Sequence, residues 1–150
     1  MKFNNEDIEH SRGDLSKNIE LPIFLTSELA EIVGVILGDG HLDYAKKYSR
    51  TVTYSLAISG STSEDYDYYV YQINPLFFNL FKTKFVVNSR RKDELVVRLY
   101  SRAISSFFIK LGVKSGNKVN EGEIPLILLN SDFKIKRAFL RGIFDTDGSI

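Results

Sequence analysis

Two stretches of this sequence follow one pattern: IVGVILGDG at residues 32–40 and LRGIFDTDG at residues 140–148. Each stretch has a glycine at its third position, a small residue at its seventh, and Asp-Gly at its end. Apolar residues at helical spacing precede each Asp-Gly, so each stretch predicts a helix that stops at its final glycine. This internal repeat indicates two copies of one structural unit. The second copy has only begun by residue 150.

The first copy begins with a helix and a hairpin. Thr26 or Ser27 can cap the helix, which is predicted to end at 38–40. Strict alternation over 51–59 predicts a strand, which pairs with a shorter strand at 41–45. One face of the longer strand is expected on a core (Val52, Tyr54, Leu56, Ile58), and the other on solvent or a ligand (Thr51, Thr53, Ser55, Ala57).

The next residues repeat this order of helix and hairpin. A helix opens at Thr62 and is expected to kink or break at Pro75. The elements that follow are a strand at 85–89, a turn at 90–93, a strand at 95–99, a helix at 103–111, a loop at 112–124, a helical turn at 125–130 and a helix capped by Ser131 or Asp132. The sequence therefore predicts an α+β fold, one αββαββα unit followed by the first helix of a second unit.

Three regions follow from this order. Residues 1–20 are polar and form an N-terminal arm, either loose or an added edge element. Residues 21–124 form the first unit. Residues 125–150 begin a second unit whose remaining elements lie outside these 150 residues.

The composition excludes several classes of protein. The 150 residues contain no cysteine, which excludes a disulfide scaffold, a thiolate metal site and a cysteine nucleophile. The polar N-terminus lacks the apolar core of a signal peptide, and no apolar run reaches the roughly 20 residues of a membrane span. We therefore expect a soluble, intracellular, cytoplasmic protein.

Asp39 and Asp147 occupy the same unfavourable place in the two stretches. A carboxylate at a helix C-terminus is disfavoured by about 0.3–1 kcal/mol. Gly34 and Gly142 allow close, parallel helices that would bring the two acids together, and carboxylates roughly 6 Å apart repel by about 3 kcal/mol at an effective dielectric constant near 20. A divalent cation removes both costs, and oxygen ligands favour Mg²⁺. The alternative is that each Asp-Gly is only a turn after a helix.

The two stretches resemble the paired motifs of LAGLIDADG homing endonucleases, DNA-cleaving proteins associated with introns and inteins. The resemblance covers about residues 21–150 and includes ILGDGHL (36–42), GVKSGNK (112–118) and FLRGIFDTDGS (139–149). It implies a four-stranded, antiparallel, saddle-shaped sheet and motif helices that meet at Gly34 and Gly142. It further implies that Asp39 and Asp147, with the carbonyls of Gly38 and Thr146, bind the metals.

The sequence also departs from that family. Leu37 replaces the first aspartate of the motif, which Asp145 keeps in the second copy. Family members often carry Gln or Lys near the end of the second strand, where this chain has only Ser-Gly-Ser at 59–61. Lys118 is the remaining candidate for a catalytic basic group near the scissile phosphate, or it is a solvated loop lysine.

Charge is segregated along the chain. The overall net charge is +1, but segments 41–61 and 82–102 carry ten basic and three acidic side chains, a net +7 against −6 elsewhere. Such a distribution favours binding of double-stranded DNA on the hairpins, although basic residues also protect exposed strand edges. The candidate DNA-binding residues are Lys46, Lys47, Arg50, Thr51, Thr53, Ser55, Lys84, Arg90, Arg91, Lys92 and Arg98.

Other residues carry a weaker signal. The tyrosines at 66, 68, 69 and 71 lie on a predicted helix and indicate packing with a solvated rim. His41 directly follows the first motif and is consistent with a substrate contact or with a structural role.

Together these patterns predict a site-specific, Mg²⁺-dependent endonuclease that cleaves double-stranded DNA. The alternatives are a non-catalytic nucleic-acid binder of the same fold, RNA maturase-like or a transcription regulator, and an inactive fragment. Self-association through the motif helices, with Asp39 meeting the same residue of a second copy, is a further possibility. Whether the host element is an intron, an intein or a free-standing gene stays open.

Overall fold

The computed structural model describes residues 2–43, 54–91, 93–115 and 123–147. Its helices are α1 (Arg12–Ser16), α2 (Ser27–Asp39), α3 (Thr62–Tyr68), α4 (Asn74–Phe81), α5 (Arg102–Leu111), α6 (Leu126–Leu129) and α7 (Phe133–Asp147). Its strands are β1 (Gly40–Asp43), β2 (Ser55–Ser61), β3 (Val86–Arg91) and β4 (Glu94–Tyr100). The predicted strands at 41–45 and 51–59 extend into residues 44–53, which lie outside the described ranges.

The four strands form one antiparallel sheet in the order β1-β2-β4-β3. Leu42 pairs with Leu56, and Leu56 with Leu99; all three are buried on the face that meets the helices. The neighbouring positions His41, Ala57 and Arg98 align across the same strands. Because side chains alternate along a strand, they lie on the opposite face, called here the outer face. The predicted α+β fold class is confirmed.

The helix before the sheet begins and ends where the sequence predicts. The Thr26 side chain accepts a hydrogen bond of 3.2 Å from the backbone N–H of Leu29, which caps α2. At its other end α2 passes directly into β1 through Gly40, whose backbone is extended rather than left-handed. A Cβ on Gly40 would lie 2.6 Å from the carbonyl oxygen of Ile36, so only glycine fits this junction.

Pro75 modifies the helix after β2 without ending it. α3 continues into a π-helical segment (Tyr69–Ile73) and then into α4, where Pro75 occupies the first turn. A proline lacks the N–H that an α-helix needs at that point, and the wider π turn accommodates this loss. The predicted kink or break is therefore a local change of helical pitch.

The N-terminal segment, predicted as either a loose arm or an added edge element, packs on the first unit and is not loose. Asp14 is buried and bonds Ser101 Oγ at 2.7 Å and the N–H of Ala103 at 2.9 Å. The same carboxylate completes a capping box with Ser11 at the start of α1. Since one side chain caps two helices, residues 2–20 are fixed against the start of α5.

One further boundary differs from the sequence prediction, and one agrees with it. β3 reaches Arg91, so the turn is shorter than 90–93, and Asp93 provides its left-handed residue at φ 64°. Of the two predicted caps of α7, Ser131 and Asp132, the structure has Asp132, whose carboxylate accepts a hydrogen bond of 2.9 Å from the backbone N–H of Ile135. Within the described ranges, no helix is both long and apolar enough to cross a membrane.

Candidate active site at the paired helix ends

The helices α2 and α7 meet at two glycines. A Cβ on Gly34 would lie 2.2 Å from the carbonyl oxygen of Phe139, and a Cβ on Gly142 would lie 2.2 Å from that of Glu31. Real Cβ atoms do not approach backbone oxygens so closely. The close spacing of the two helices therefore requires a residue without a Cβ at both positions.

The two helices run in the same direction. One turn beyond the glycine contact, a Cβ on Gly38 would lie 2.2 Å from Thr146 Oγ1. That hydroxyl donates to the carbonyl of Gly142 at 2.8 Å, which keeps it on its own helix. Parallel helices place Asp39, the last residue of α2, and Asp147, the last residue of α7, at the same end of the pair. The Asp147 side chain lies outside what the structure describes.

The donors at these helix ends suit a hard divalent cation. The last carbonyls of a helix, which here include those of Gly38 and Thr146, lack N–H partners within the helix. Carboxylate and carbonyl oxygens are the ligands that Mg²⁺ and Mn²⁺ prefer. Within the part of the chain that the structure describes, no three His, Asp or Glu side chains gather closely enough to hold a metal alone. A metal here would therefore need backbone carbonyls, Asp147 or substrate oxygens beside Asp39.

Tyr69 lies beside this site, and sequence reasoning missed it. Its side chain is 1% exposed, and its hydroxyl donates 3.2 Å to the carbonyl of Ser59. Burial raises the pKa of Tyr69, and the negative charge of Asp39 raises it further. The sequence indicates only a packing tyrosine on a helix here, because local spacing does not give a hydrogen bond to Ser59, ten positions away on β2.

A second polar group lies along one side of the helix pair. Glu31 is 9% exposed, and burial raises its pKa, while Arg141 counteracts this and Asp145 adds to it. Burial also raises the pKa of the Tyr68 hydroxyl, together with the carboxylates of Glu31 and Asp145. Asp145, whose counterpart in the first motif is Leu37, thus lies close to Tyr68 at the end of α3.

The outer face of the sheet carries a chain of polar contacts. Arg98 Nη1 donates to Ser55 Oγ at 3.4 Å, and Ser55 Oγ donates to Asp43 Oδ2 at 3.4 Å. Asp43 Oδ1 lies 2.9 Å from Nε2 of His41 and shares a hydrogen bond with it. Ser55 lies on the outer face, as the alternation predicts, but it is only 1% exposed. Its hydroxyl orients Arg98, and a direct DNA contact from Ser55 stays a prediction.

Few of the other candidate DNA contacts fall within the described residues. Lys84 is exposed, with its ammonium 5.4 Å from the centroid of the Phe78 ring. The backbone of β3 carries Arg90 and Arg91 to the hairpin end, where their side chains are not described. The candidates outside the described residues are Lys46, Lys47, Arg50, Thr51, Thr53, Lys92 and Lys118.

Asp93 connects the basic hairpin to α3. Its carboxylate accepts from Ser61 Oγ and from the N–H of Ser63, both at 2.8 Å. These hydrogen bonds, the backbone one first, lower the pKa of Asp93. The tip of the β3–β4 hairpin is therefore fixed to the helix that carries Tyr69.

Comparison with known proteins gives partial sequence matches. No family model matches the chain. An A-type ATP synthase subunit from Pyrococcus abyssi is 30% identical over 145 residues, which cover 96% of this chain and 12% of that protein. The replication factor C small subunit of Methanocaldococcus jannaschii is 32% identical over 123 residues, covering 82% of this chain and 6% of that protein. The chain thus spans a small part of either relative.

Solved structures show the fold. I-DmoI in complex with DNA and Mn matches at a TM-score of 0.60 and 19% identity, over 82% of this chain and 63% of that one. A structure of mesophilic variants of the homing endonuclease I-DmoI matches at 0.59 and 18% identity, over 80% of this chain and 61% of that one. The chain therefore has the fold of a homing endonuclease and spans less than two thirds of that structure.

Proposed function

We propose that this chain is the first unit, with the second motif helix, of a LAGLIDADG-type endonuclease that cleaves double-stranded DNA at specific sites. One observation carries the proposal. The glycine contacts between the parallel helices bring the C-terminal ends of α2 and α7 together. The same end of the helix pair therefore carries two aspartates, Asp39 and Asp147. The fold shared with I-DmoI, a homing endonuclease whose structure includes DNA and Mn, supports it.

In this proposal Asp39, Asp147 and the carbonyls of Gly38 and Thr146 hold divalent cations, Mg²⁺ in the cell. When bound, such cations would supply Lewis-acid activation of a water and charge stabilisation at the leaving 3′ oxygen. The rigid helix pair keeps the oxygen ligands in place, because neither glycine contact leaves room for the helices to approach further. Lys118 offsets negative charge near the scissile phosphate.

DNA lies along the outer face of the sheet in this proposal. Arg98 stands at the centre of that face, held by Ser55 and placed with its guanidinium 5.9 Å from the centroid of the Tyr100 ring. An arginine so fixed suits a base edge or a phosphate. The surrounding contacts would come from Lys46, Lys47, Arg50, Thr51, Thr53, Lys84, Arg90, Arg91 and Lys92.

We further propose that the chain is one module within a longer protein, with residues 21–124 as its first unit and 125–150 opening a second. α7 leaves Phe133, Leu140 and Phe144 exposed, an apolar face that the remainder of the second unit would cover. The two relatives carry unrelated names and match over a small share of their length, which supports an insertion such as an intein. Self-association through Asp39 is less favoured, because α7 already covers that side of α2.

The direct test is cleavage of a plasmid that carries the insertion locus. The wild type should bind the locus and cut it with Mg²⁺ or Mn²⁺, whereas Asp39→Asn and Asp147→Asn should bind but not cut. Asp67→Asn, at an exposed position of α3, is the control and should cut normally. Binding by the wild type without any nick would support the non-catalytic nucleic-acid binder, which the absence of Gln or Lys at 59–61 favours. A wild type that does not bind would support an inactive fragment.

A further inference from the structure

We propose that Tyr69 is a positioning residue for the Asp39 end of the site, where it fixes the end of β2 and holds the Ser59 side chain beside Asp39. The inference rests on the proposed metal-dependent cleavage. Tyr69 lies outside the sequence motifs, whereas Ser59 lies in the stretch 59–61 where the family often carries Gln or Lys. The two residues have separate tasks: Tyr69 holds the backbone, and Ser59 faces the substrate.

The strand register places Ser59 next to Asp39. Gly40 pairs with Ile58 in the antiparallel β1–β2 ladder. The residue before Gly40 therefore lies beside the residue after Ile58. Ser59 is exposed, and alternation along β2 puts it on the same outer face as Ala57. Its hydroxyl is a small, neutral group on the side of Asp39 from which DNA would approach.

Tyr69 holds this end of β2 from beneath. Its hydroxyl donates to the Ser59 carbonyl at 3.2 Å, so the contact is to the backbone and leaves the Ser59 side chain to turn outward. A Cβ on Gly60 would lie 2.9 Å from Cε2 of Tyr69 and 2.6 Å from Oδ2 of Asp65. The Tyr69 ring and the Asp65 carboxylate thus occupy the space that a side chain at position 60 would need.

The helix containing Tyr69 is irregular at that residue. The π-helical segment Tyr69–Ile73 begins there, and such segments occur frequently at functional sites. The negative charge of Asp39 acts on the hydroxyl, which supports their proximity. Tyr69 is protonated at neutral pH, so its hydroxyl remains a donor to Ser59 and brings no second negative charge to the Asp39 carboxylate.

The experiment compares Tyr69→Phe, which keeps the ring and removes the hydroxyl, with Tyr71→Phe on the same helical segment, where the side chain is 70% exposed. Mn²⁺ affinity is measured by calorimetry without DNA, and kcat and KM are measured for cleavage. Tyr69→Phe should weaken Mn²⁺ binding and lower kcat by about 10-fold each, because the end of β2 that pairs beside Asp39 loses the hydrogen bond that holds it, as loss of an outer-shell partner does. DNA affinity in Ca²⁺ should change less than about twofold, and Tyr71→Phe should match the wild type.

Ser59→Ala and Gly60→Ala extend the test. Ser59→Ala should lower kcat but leave Mn²⁺ affinity and thermal stability unchanged, because the backbone contact to Tyr69 remains. Gly60→Ala should resemble Tyr69→Phe, because its Cβ displaces the ring. Equal Mn²⁺ affinity in Tyr69→Phe and Tyr71→Phe would overturn the role of Tyr69. A wild type that neither binds Mn²⁺ nor cuts DNA would instead contradict the proposed function, so the two failures are distinct.

Discussion

The two motif helices share a sequence pattern but have different surroundings. Ile32 and Ile36 in α2 are fully buried, whereas their counterparts Leu140 and Phe144 in α7 are 45% and 49% exposed. α2 lies between α7 and the sheet, so both of its apolar sides are covered. α7 packs mainly on α2, with a smaller contact to α6, and within the described residues no sheet covers its other side. The motif is therefore compatible with two kinds of contact, helix against helix and helix against sheet. Of these two, α7 makes only the helix–helix contact within the described residues.

The largest test of this difference truncates equivalent positions. Ile32→Ala should lower the free energy of unfolding by about 2–5 kcal/mol, because it leaves a cavity between helix and sheet. Leu140→Ala, at the same motif position, should change it by less than about 1 kcal/mol, since the side chain is half exposed. Urea unfolding followed by circular dichroism measures both. Similar losses for the two variants would show that α7 is covered in solution as fully as α2.

The glycine contact is a smaller and symmetrical test. Gly34→Ala and Gly142→Ala should each destabilise the fold by about 1–3 kcal/mol, because each new Cβ overlaps a carbonyl oxygen of the other helix. Gly13→Ala in α1 is the matched control: its Cβ would lie 3.8 Å from the nearest atom, Ser11 Oγ. Replacing a helical glycine that lacks such contacts by alanine raises the free energy of unfolding by about 0.5–1 kcal/mol. If Gly13→Ala lost stability and Gly34→Ala and Gly142→Ala did not, the result would contradict the close packing of α2 and α7.

Local patterns predicted most of the fold because they act within one or two turns of chain. The Thr26 cap, the junction at Gly40 and the cap at the start of α7 are each set by residues three or four positions apart. The N-terminal segment shows where this reasoning stops. The Ser11–Asp14 capping box is a local pattern, but the bonds from Asp14 to Ser101 and Ala103 connect residues almost ninety positions apart.

The site was predictable to the same extent. The glycines and aspartates of the repeat could be read from the sequence because one pattern occurs twice. Ser55 could not, because alternation gives the face of a strand and not what covers it; here Arg98 and Asp43 bind its hydroxyl. The sequence places Tyr69 among packing tyrosines on a helix, but local spacing does not give its hydrogen bond to Ser59, which lies ten positions away on β2.

The smallest expected effect is that of Asp39→Asn on the free energy of unfolding, and its sign should change when a metal ion is added. Without a cation, Asp39→Asn should raise the free energy of unfolding by about 0.3–1 kcal/mol, since it removes a carboxylate from a helix C-terminus. With Mn²⁺ at 100 times its dissociation constant, the wild type should gain about 2.7 kcal/mol by mass action. Asp39→Asn should gain little, so the order of stability inverts. Thermal unfolding with and without Mn²⁺ measures this, with Asp67→Asn as the control that follows the wild type. An equal Mn²⁺ shift in all three proteins would place the cation away from Asp39, and the two helix ends would then be a structural pair without a metal.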